Sequence, residues 1–189
     1  MLRHTVTRKI RGVQEDFIDL LMQPEKFLRL SSYVEEIVRK DDNKYEVVFK
    51  WTKWGMTKRY WVTFRVYRDA NTVVYESTPD SDNAMSMSTT IIRDPEQGYI
   101  TVKFDIEMDA GVLASILGKS DFSKFAENLL DAAIKEYMKK HIGGSEKKID
   151  CRNCAFYEAT RSYCYAIDKP VEDPTSPPCG GNMFKYVNK

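Results

Sequence analysis

Alternation of apolar and polar residues predicts seven β-strands in the first 110 residues of the chain. The alternation is cleanest over residues 98–109, where every second residue is apolar and the intervening residues are mostly charged or hydroxylated. Strands with one apolar and one polar face are typical of an antiparallel sheet that is covered on one side. The predicted strands are 2–11, 33–40, 44–53, 57–68, 72–78, 84–93 and 98–109.

Two stretches have helical periodicity instead. In residues 13–30 apolar residues recur at intervals of three and four, and Pro24 divides this stretch into two short helices. Residues 120–142 carry a long apolar stripe, with Ser120 or Asp121 as the expected N-cap. The predicted order is therefore β-αα-β6-α, and only the last helix is long enough to cover the sheet.

Composition and charge exclude several classes of protein. The chain has 189 residues, 30% of them charged, with a net charge of +1. There is no basic patch of the kind that nucleic acid requires, and no apolar run long enough to span a membrane. The first residues lack the apolar core of a signal peptide. We therefore expect a cytoplasmic protein without integral membrane association.

All four cysteines lie in the last forty residues, with the spacing C-x2-C-x9-C-x14-C. This separates a cysteine-free body (1–142), a linker (143–150) and a four-cysteine tail (151–189). The tail has few large aliphatic residues, so burial alone cannot offset the entropy of ordering it. The expectation is one metal centre, with Zn²⁺ as the first candidate. Its predicted ligands are Cys151, Cys154, Cys164 and Cys179.

Two alternatives to zinc stay open for the tail. A [4Fe–4S] cluster also takes four thiolates and favours an apolar shell, which nearby aromatic residues could supply. Residues 151–157 resemble the opening of high-potential iron–sulfur proteins, although the later spacings differ. Two disulfides without a metal would suit a hyperthermophilic source.

A second candidate site is the apolar face of the sheet together with the long helix. It is interpreted either as a filled core or as a ligand cavity. Methionines supply deformable walls, and tyrosine or tryptophan supplies polar tips for a ligand head group. The predicted lining residues are Phe49, Trp51, Tyr60, Phe64, Tyr75, Met85, Met87, Phe104, Met108, Phe125, Leu129 and Ala133.

The order of elements over residues 2–142 resembles the helix-grip fold of START domains and the birch-pollen-allergen family. This is an α+β fold in which a curved antiparallel sheet wraps around a long C-terminal helix. The chain is most similar to a family of fatty-acid carriers from thermoacidophilic archaea. The resemblance implies a hydrophobic cavity that binds a long-chain fatty acid or another apolar small molecule. It leaves open whether the protein forms a homodimer.

Three further expectations concern the details of this function. The glycine-bounded segment 111–118 is interpreted either as a packed connection or as a lid over the cavity. Lys50, Lys58 and Arg65 are expected to point away from the interior. Catalysis has little support, because the chain has two histidines and no nucleophile–base motif. Two alternative functions stay open. One is a redox protein with an iron–sulfur tail, and the other is a cyclase or hydrolase that uses the cavity.

Overall fold

A computed structural model describes residues 1–139 and 150–179 of the chain. The body and the tail both contribute strands, and three α-helices are present in the described ranges. The elements are β1 Leu2–Ile10, α1 Phe17–Leu21, α2 Pro24–Phe27, β2 Val34–Asp41, β3 Lys44–Lys53, β4 Met56–Asp69, β5 Thr72–Ser77, β6 Met85–Arg93, β7 Ile100–Met108, α3 Lys119–Met138, β8 Tyr157–Glu158, β9 Tyr163–Cys164 and β10 Lys169–Pro170.

The predicted order β-αα-β6-α is confirmed, and most strand bounds agree within two residues. The first helical stretch is shorter than predicted, because α1 begins at Phe17 and residues 13–16 are not helical. The long helix begins one residue before the predicted range. Gly118 precedes it, and the Asp121 carboxylate accepts the Gly118 N–H at 3.4 Å, so neither predicted N-cap holds that position. The predicted helix end at 142 lies outside the described residues.

The strands form one sheet in the order β10-β9-β8-β1-β7-β6-β5-β4-β3-β2. Neighbours from β2 to β6 pair antiparallel and in chain order, as a meander does. The longest hairpin joins β3 and β4 through Trp54 and Gly55, which both have positive φ. Positive φ at both turn residues is typical of a type I′ turn. The predicted fold class, α+β with the helix-grip arrangement of an antiparallel sheet and one long C-terminal helix, is confirmed.

Contacts divide the chain into two compact units. The first unit contains residues 1–6, 18–90 and 104–133. Its core follows the predicted alternation: along β4, Tyr60, Val62 and Phe64 are fully buried, whereas Trp61 and Arg65 are exposed. Alternation of this kind places one face of the strand in the core.

The second unit contains residues 7–17, 91–103 and the described residues after 133. In this unit the tail adds a strand beside β1, because β8 pairs with β1 at Ile10 and Glu158. The backbone approach is close: a Cβ on Gly12 would lie 2.2 Å from the Ala155 carbonyl oxygen. Arg11 Nε donates to the Arg152 carbonyl at 2.7 Å. The described part of the tail is thus attached to this unit by backbone pairing and close packing.

Candidate functional site

The predicted lining residues all lie in the first unit and are all buried. None of these side chains is more than 4% exposed. Ring contacts join several of them directly: Phe49 contacts Phe64 and Phe125, and Phe64 contacts Tyr75. Phe125 lies on α3 and Phe49 on β3, so these rings bring the helix and the sheet together. In this structure protein atoms cover nearly the whole surface of the predicted lining.

Two of the three predicted polar tips are already occupied by the backbone. The Tyr60 hydroxyl donates to the carbonyls of Ala84 and Asp109, at 2.8 Å each. The Tyr75 hydroxyl donates to the Leu21 carbonyl. Burial raises the pKa of both phenols, which keeps them neutral donors. Neither hydroxyl proton is therefore free for a ligand head group.

The third polar tip, Trp51, is different. Its indole Nε1 is the one buried side-chain nitrogen or oxygen in the described ranges that lacks a hydrogen-bond partner. The ring stacks on Tyr33 and Phe49, at centroid distances of 5.5 and 5.6 Å, and meets Phe125 edge-on at 5.6 Å. A buried indole N–H without an acceptor costs free energy, so an acceptor at this point would be stabilising.

Lys58 lies on the same face of the sheet as the Trp51 indole. Residues directly opposite each other in an antiparallel pair lie on the same face of the sheet. Phe49 is opposite Tyr60, and both are fully buried; Trp51 is opposite Lys58 on the same face. Lys58 was expected to lie on the outer face of the sheet, but this register puts it two positions from Tyr60 and therefore on the same face as Tyr60. Lys58 itself is exposed.

The charges around Lys58 are mostly compensated. On the opposite face of the sheet, Lys50 and Arg59 both form ion pairs with Glu35, at 3.6 and 2.7 Å. Lys53, at the end of β3, forms an ion pair with Asp121 on α3 at 2.6 Å, which lowers the pKa of that carboxyl. Lys58 forms no ion pair with any residue that the structure describes. It is thus an available cation beside the unsatisfied indole.

The glycine-bounded segment 111–118 is a packed connection in this structure. It opens with one 3₁₀ turn, Gly111–Leu113, and the Leu117 N–H donates to the Leu113 carbonyl at 2.8 Å. Leu113, Ile116 and Leu117 are buried. These contacts favour the interpretation of segment 111–118 as a packed connection over its interpretation as a lid.

One arrangement that sequence reasoning missed lies at β1 and α3. His4 bridges two α3 residues, with Nδ1 at 3.2 Å from Ser123 Oγ and Nε2 at 3.3 Å from Glu127 Oε1. Ser123 and Glu127 are four residues apart, so a shared helix face was the available signal. The Ser123 hydroxyl also donates to the Lys119 carbonyl at 2.9 Å. Its proton is therefore directed away from the imidazole, and the geometry does not assign a nucleophile.

The four cysteines all lie in the second unit. Cys151, Cys154 and Cys164 are buried and Cys179 is half-buried, and none of the four forms a disulfide. Burial raises the pKa of the Cys151 thiol to about 12, with further contributions from the charges of Cys154, Cys164 and Cys179. Within residues 1–139 and 150–179, however, no three His, Cys, Asp or Glu side chains are grouped as a metal site.

Comparisons with known proteins bear on the fold. No family model matches the chain, and no curated protein matches it. A solved structure from Thermus thermophilus matches with a TM-score of 0.54 and 16% identity, over 73% of this chain and 98% of that one. A conserved protein from Geobacillus kaustophilus matches with a TM-score of 0.51 and 14% identity, over 74% and 94%. At such identities the likeness shows a shared fold alone.

A looser match is a START superfamily protein from Mycobacterium smegmatis, with a TM-score of 0.46 and 12% identity, over 74% of this chain and 95% of that one. A likeness at this level carries no functional conclusion. In each of these three comparisons about a quarter of this chain has no counterpart in the matched structure. Within the ranges that the structure describes, no helix is both long and apolar enough to cross a bilayer.

Proposed function

We propose that this protein binds and carries a long-chain fatty acid or a similar lipid. The alkyl chain lies among the buried side chains between β3, β4 and α3, and the acidic head group lies at Trp51 and Lys58. The observation that carries the proposal is the buried Trp51 Nε1, which has a donor proton and no acceptor. The cytoplasmic location and the similarity to archaeal fatty-acid carriers belong to the same proposal.

The head group explains why these two residues occur together. A carboxylate oxygen would accept the indole N–H, and a hydrogen bond to a charged acceptor contributes about 1.5–3 kcal/mol. Lys58, on the same face, would supply the opposite charge while remaining in water. A carboxylate at this position would have both a hydrogen bond and an opposite charge, so its burial beside the indole would not leave an unpaired charge, which would be costly.

The alkyl chain supplies the affinity. Each methylene group removed from water contributes about 0.8 kcal/mol. Because the interior side chains are packed in this structure, a chain can enter only by displacing them. Met85, Met87 and Met108 are buried there, and their unbranched side chains can adopt other rotamers at little cost. Binding therefore requires the interior to rearrange around the ligand.

The test compares a fatty acid with the fatty alcohol of the same length, by calorimetry, on two matched variants. Lys58→Gln removes the cation that is paired with Trp51 on the same face of the sheet. Lys50→Gln removes a cation on the other face, one strand away. Lys58→Gln is expected to weaken binding of the acid roughly three- to tenfold and to leave binding of the alcohol unchanged. Lys50→Gln should change neither. Equal effects of the two variants would reject the proposed head-group position.

A second pair of variants tests the indole. Trp51→Phe keeps an aromatic ring but removes the donor, and Trp61→Phe makes the same change on the opposite, exposed face of β4. We expect roughly tenfold weaker binding of the acid by Trp51→Phe and wild-type binding by Trp61→Phe. Unchanged affinity in Trp51→Phe would mean that the indole N–H does not contact the ligand.

A further inference from the structure

We propose that Cys151, Cys154, Cys164 and Cys179 together ligate one metal centre, and that an iron–sulfur cluster fits them better than a single zinc ion. This inference concerns the second unit and does not depend on the proposed lipid binding. It rests on the local backbone geometry at each cysteine and on the side chains that surround them.

The first two cysteines lie on one tight turn. Cys151–Asn153 forms a 3₁₀ turn, and the Cys154 N–H donates to the Cys151 carbonyl at 2.9 Å. The turn is fixed from outside, because Asp150 Oδ1 accepts the Arg152 N–H at 2.9 Å. A C-x2-C turn of this kind presents two sulfurs on the same side, as four-thiolate metal sites require.

The third cysteine faces that turn from the neighbouring strand. Cys164 pairs with Tyr157, three residues after Cys154. The Tyr165 N–H donates to the Phe156 carbonyl at 2.9 Å, which holds the chain after Cys164 against the chain after Cys154. Backbone contacts of this kind fix the orientation of a metal ligand.

A backbone hydrogen bond connects the segment that precedes the fourth cysteine to the first turn. The Cys151 N–H donates to the Pro174 carbonyl at 2.8 Å, which ties the residues just before Cys179 to the first turn. Prolines at 174, 177 and 178 restrict this stretch and reduce the entropy lost when it is ordered. Three of the four thiols are buried and the fourth is half-buried in this part of the second unit, and no disulfide joins any two of them.

The surroundings of the cysteines favour a cluster over a single ion. In the part of the chain that the structure describes, the four side chains are not yet grouped as a metal site, so metal binding would draw the sulfurs together. A [4Fe–4S] cluster takes four thiolates and is stable in apolar surroundings. Apolar or aromatic side chains next to the cysteines are buried: Ala155, Phe156, Tyr157, Tyr165 and Val171.

The test is the metal and acid-labile sulfide content of the full chain purified without oxygen, with its visible absorption spectrum. The expected result is about four iron atoms and four sulfides per chain and a brown colour. One zinc ion per chain, without colour, would support a four-thiolate centre but overturn the cluster. Two disulfides, or four thiols that react freely with no metal present, would overturn the whole proposal.

A matched pair of variants connects the metal to these residues. Cys154→Ser removes one ligand, and Ser176→Ala makes a change of similar size at an exposed position of the same segment. Cys154→Ser should lose most of the metal and speed amide exchange at Tyr165 and Val171, whose N–H groups donate to Phe156 and Ser162. Ser176→Ala should keep both. If Cys154→Ser does not fold, the metal content of the unaltered chain still decides the question.

Discussion

The buried carboxylate of Glu158 is a strong test of how the tail is held. Glu158 is fully buried. Its Oε1 accepts the N–H groups of Lys9 and Thr160, at 3.0 and 2.9 Å, and the Thr160 hydroxyl. Its Oε2 accepts the Arg161 N–H at 3.0 Å and Arg161 Nε at 3.3 Å. One side chain therefore joins β1 to the turn after β8.

Replacing Glu158 by Gln keeps the volume but turns one oxygen into an NH₂ group. Whichever oxygen is replaced, at least two donors then face a donor. A hydrogen bond to a charged acceptor contributes about 1.5–3 kcal/mol. Two lost bonds give about 3–6 kcal/mol, similar to the cost of breaking a buried ion pair. Because the Arg161 side chain is 34% exposed, water can solvate it, and we expect the lower end, about 3 kcal/mol.

The assay is native-state hydrogen exchange at the amides of Lys9, Thr160 and Arg161, which gives the free energy of local opening. Glu158→Gln should lower that free energy by about 3 kcal/mol, a more than hundredfold faster exchange. The control is Glu172→Gln, the same chemical change at an exposed tail position. A difference between the two variants below about 0.5 kcal/mol would refute the role assigned to Glu158.

Three further predictions concern packing and acid stability. Gly12→Ala places a Cβ 2.2 Å from the Ala155 carbonyl oxygen and should separate β8 from β1 locally. The measurement is amide hydrogen exchange in the residues after β8, which should be faster than in the unaltered chain. Unchanged amide exchange would contradict the close approach of the two backbones. Phe104→Ala removes a fully buried ring and should cost about 3–5 kcal/mol in urea unfolding, whereas less than 1 kcal/mol would mean that the site collapses without a cavity. A hydrogen bond from Lys44 lowers the pKa of Asp80 to about 2, so its contribution to stability is present above its ordinary pKa and is lost as pH falls towards 2; Asp80→Asn should flatten that part of the acid unfolding curve, and an unchanged curve would refute it.

The body of the fold could be predicted because its strands are long enough to show a period. β4 has fourteen residues, and its alternation from Tyr60 to Val66 is visible in the sequence and in the burial of every second side chain. The strands of the tail have two residues each, too few for any period. The pairing of β8 with β1 is supported by Glu158 and Gly12, whose roles appear only once distant segments are in contact.

The candidate site was predictable in its apolar part and not in its polar part. The buried rings follow from alternation. The importance of Trp51 does not, because it depends on which polar tips find backbone acceptors, and those acceptors come from distant residues such as Ala84 and Leu21. The position of Lys58 was available from counting along β4, since it is two residues from Tyr60 and therefore on the same face.

Binding of saturated fatty acids of increasing length, from octanoate to palmitate, tests the central proposal most directly. If the alkyl chain lies in the interior, each added methylene group should tighten binding about fourfold until the interior is filled. Calorimetry on the unaltered chain measures this series without any mutation. A stepwise gain in affinity followed by a plateau is the predicted result. Affinity that does not depend on chain length, or binding that does not saturate, would contradict it.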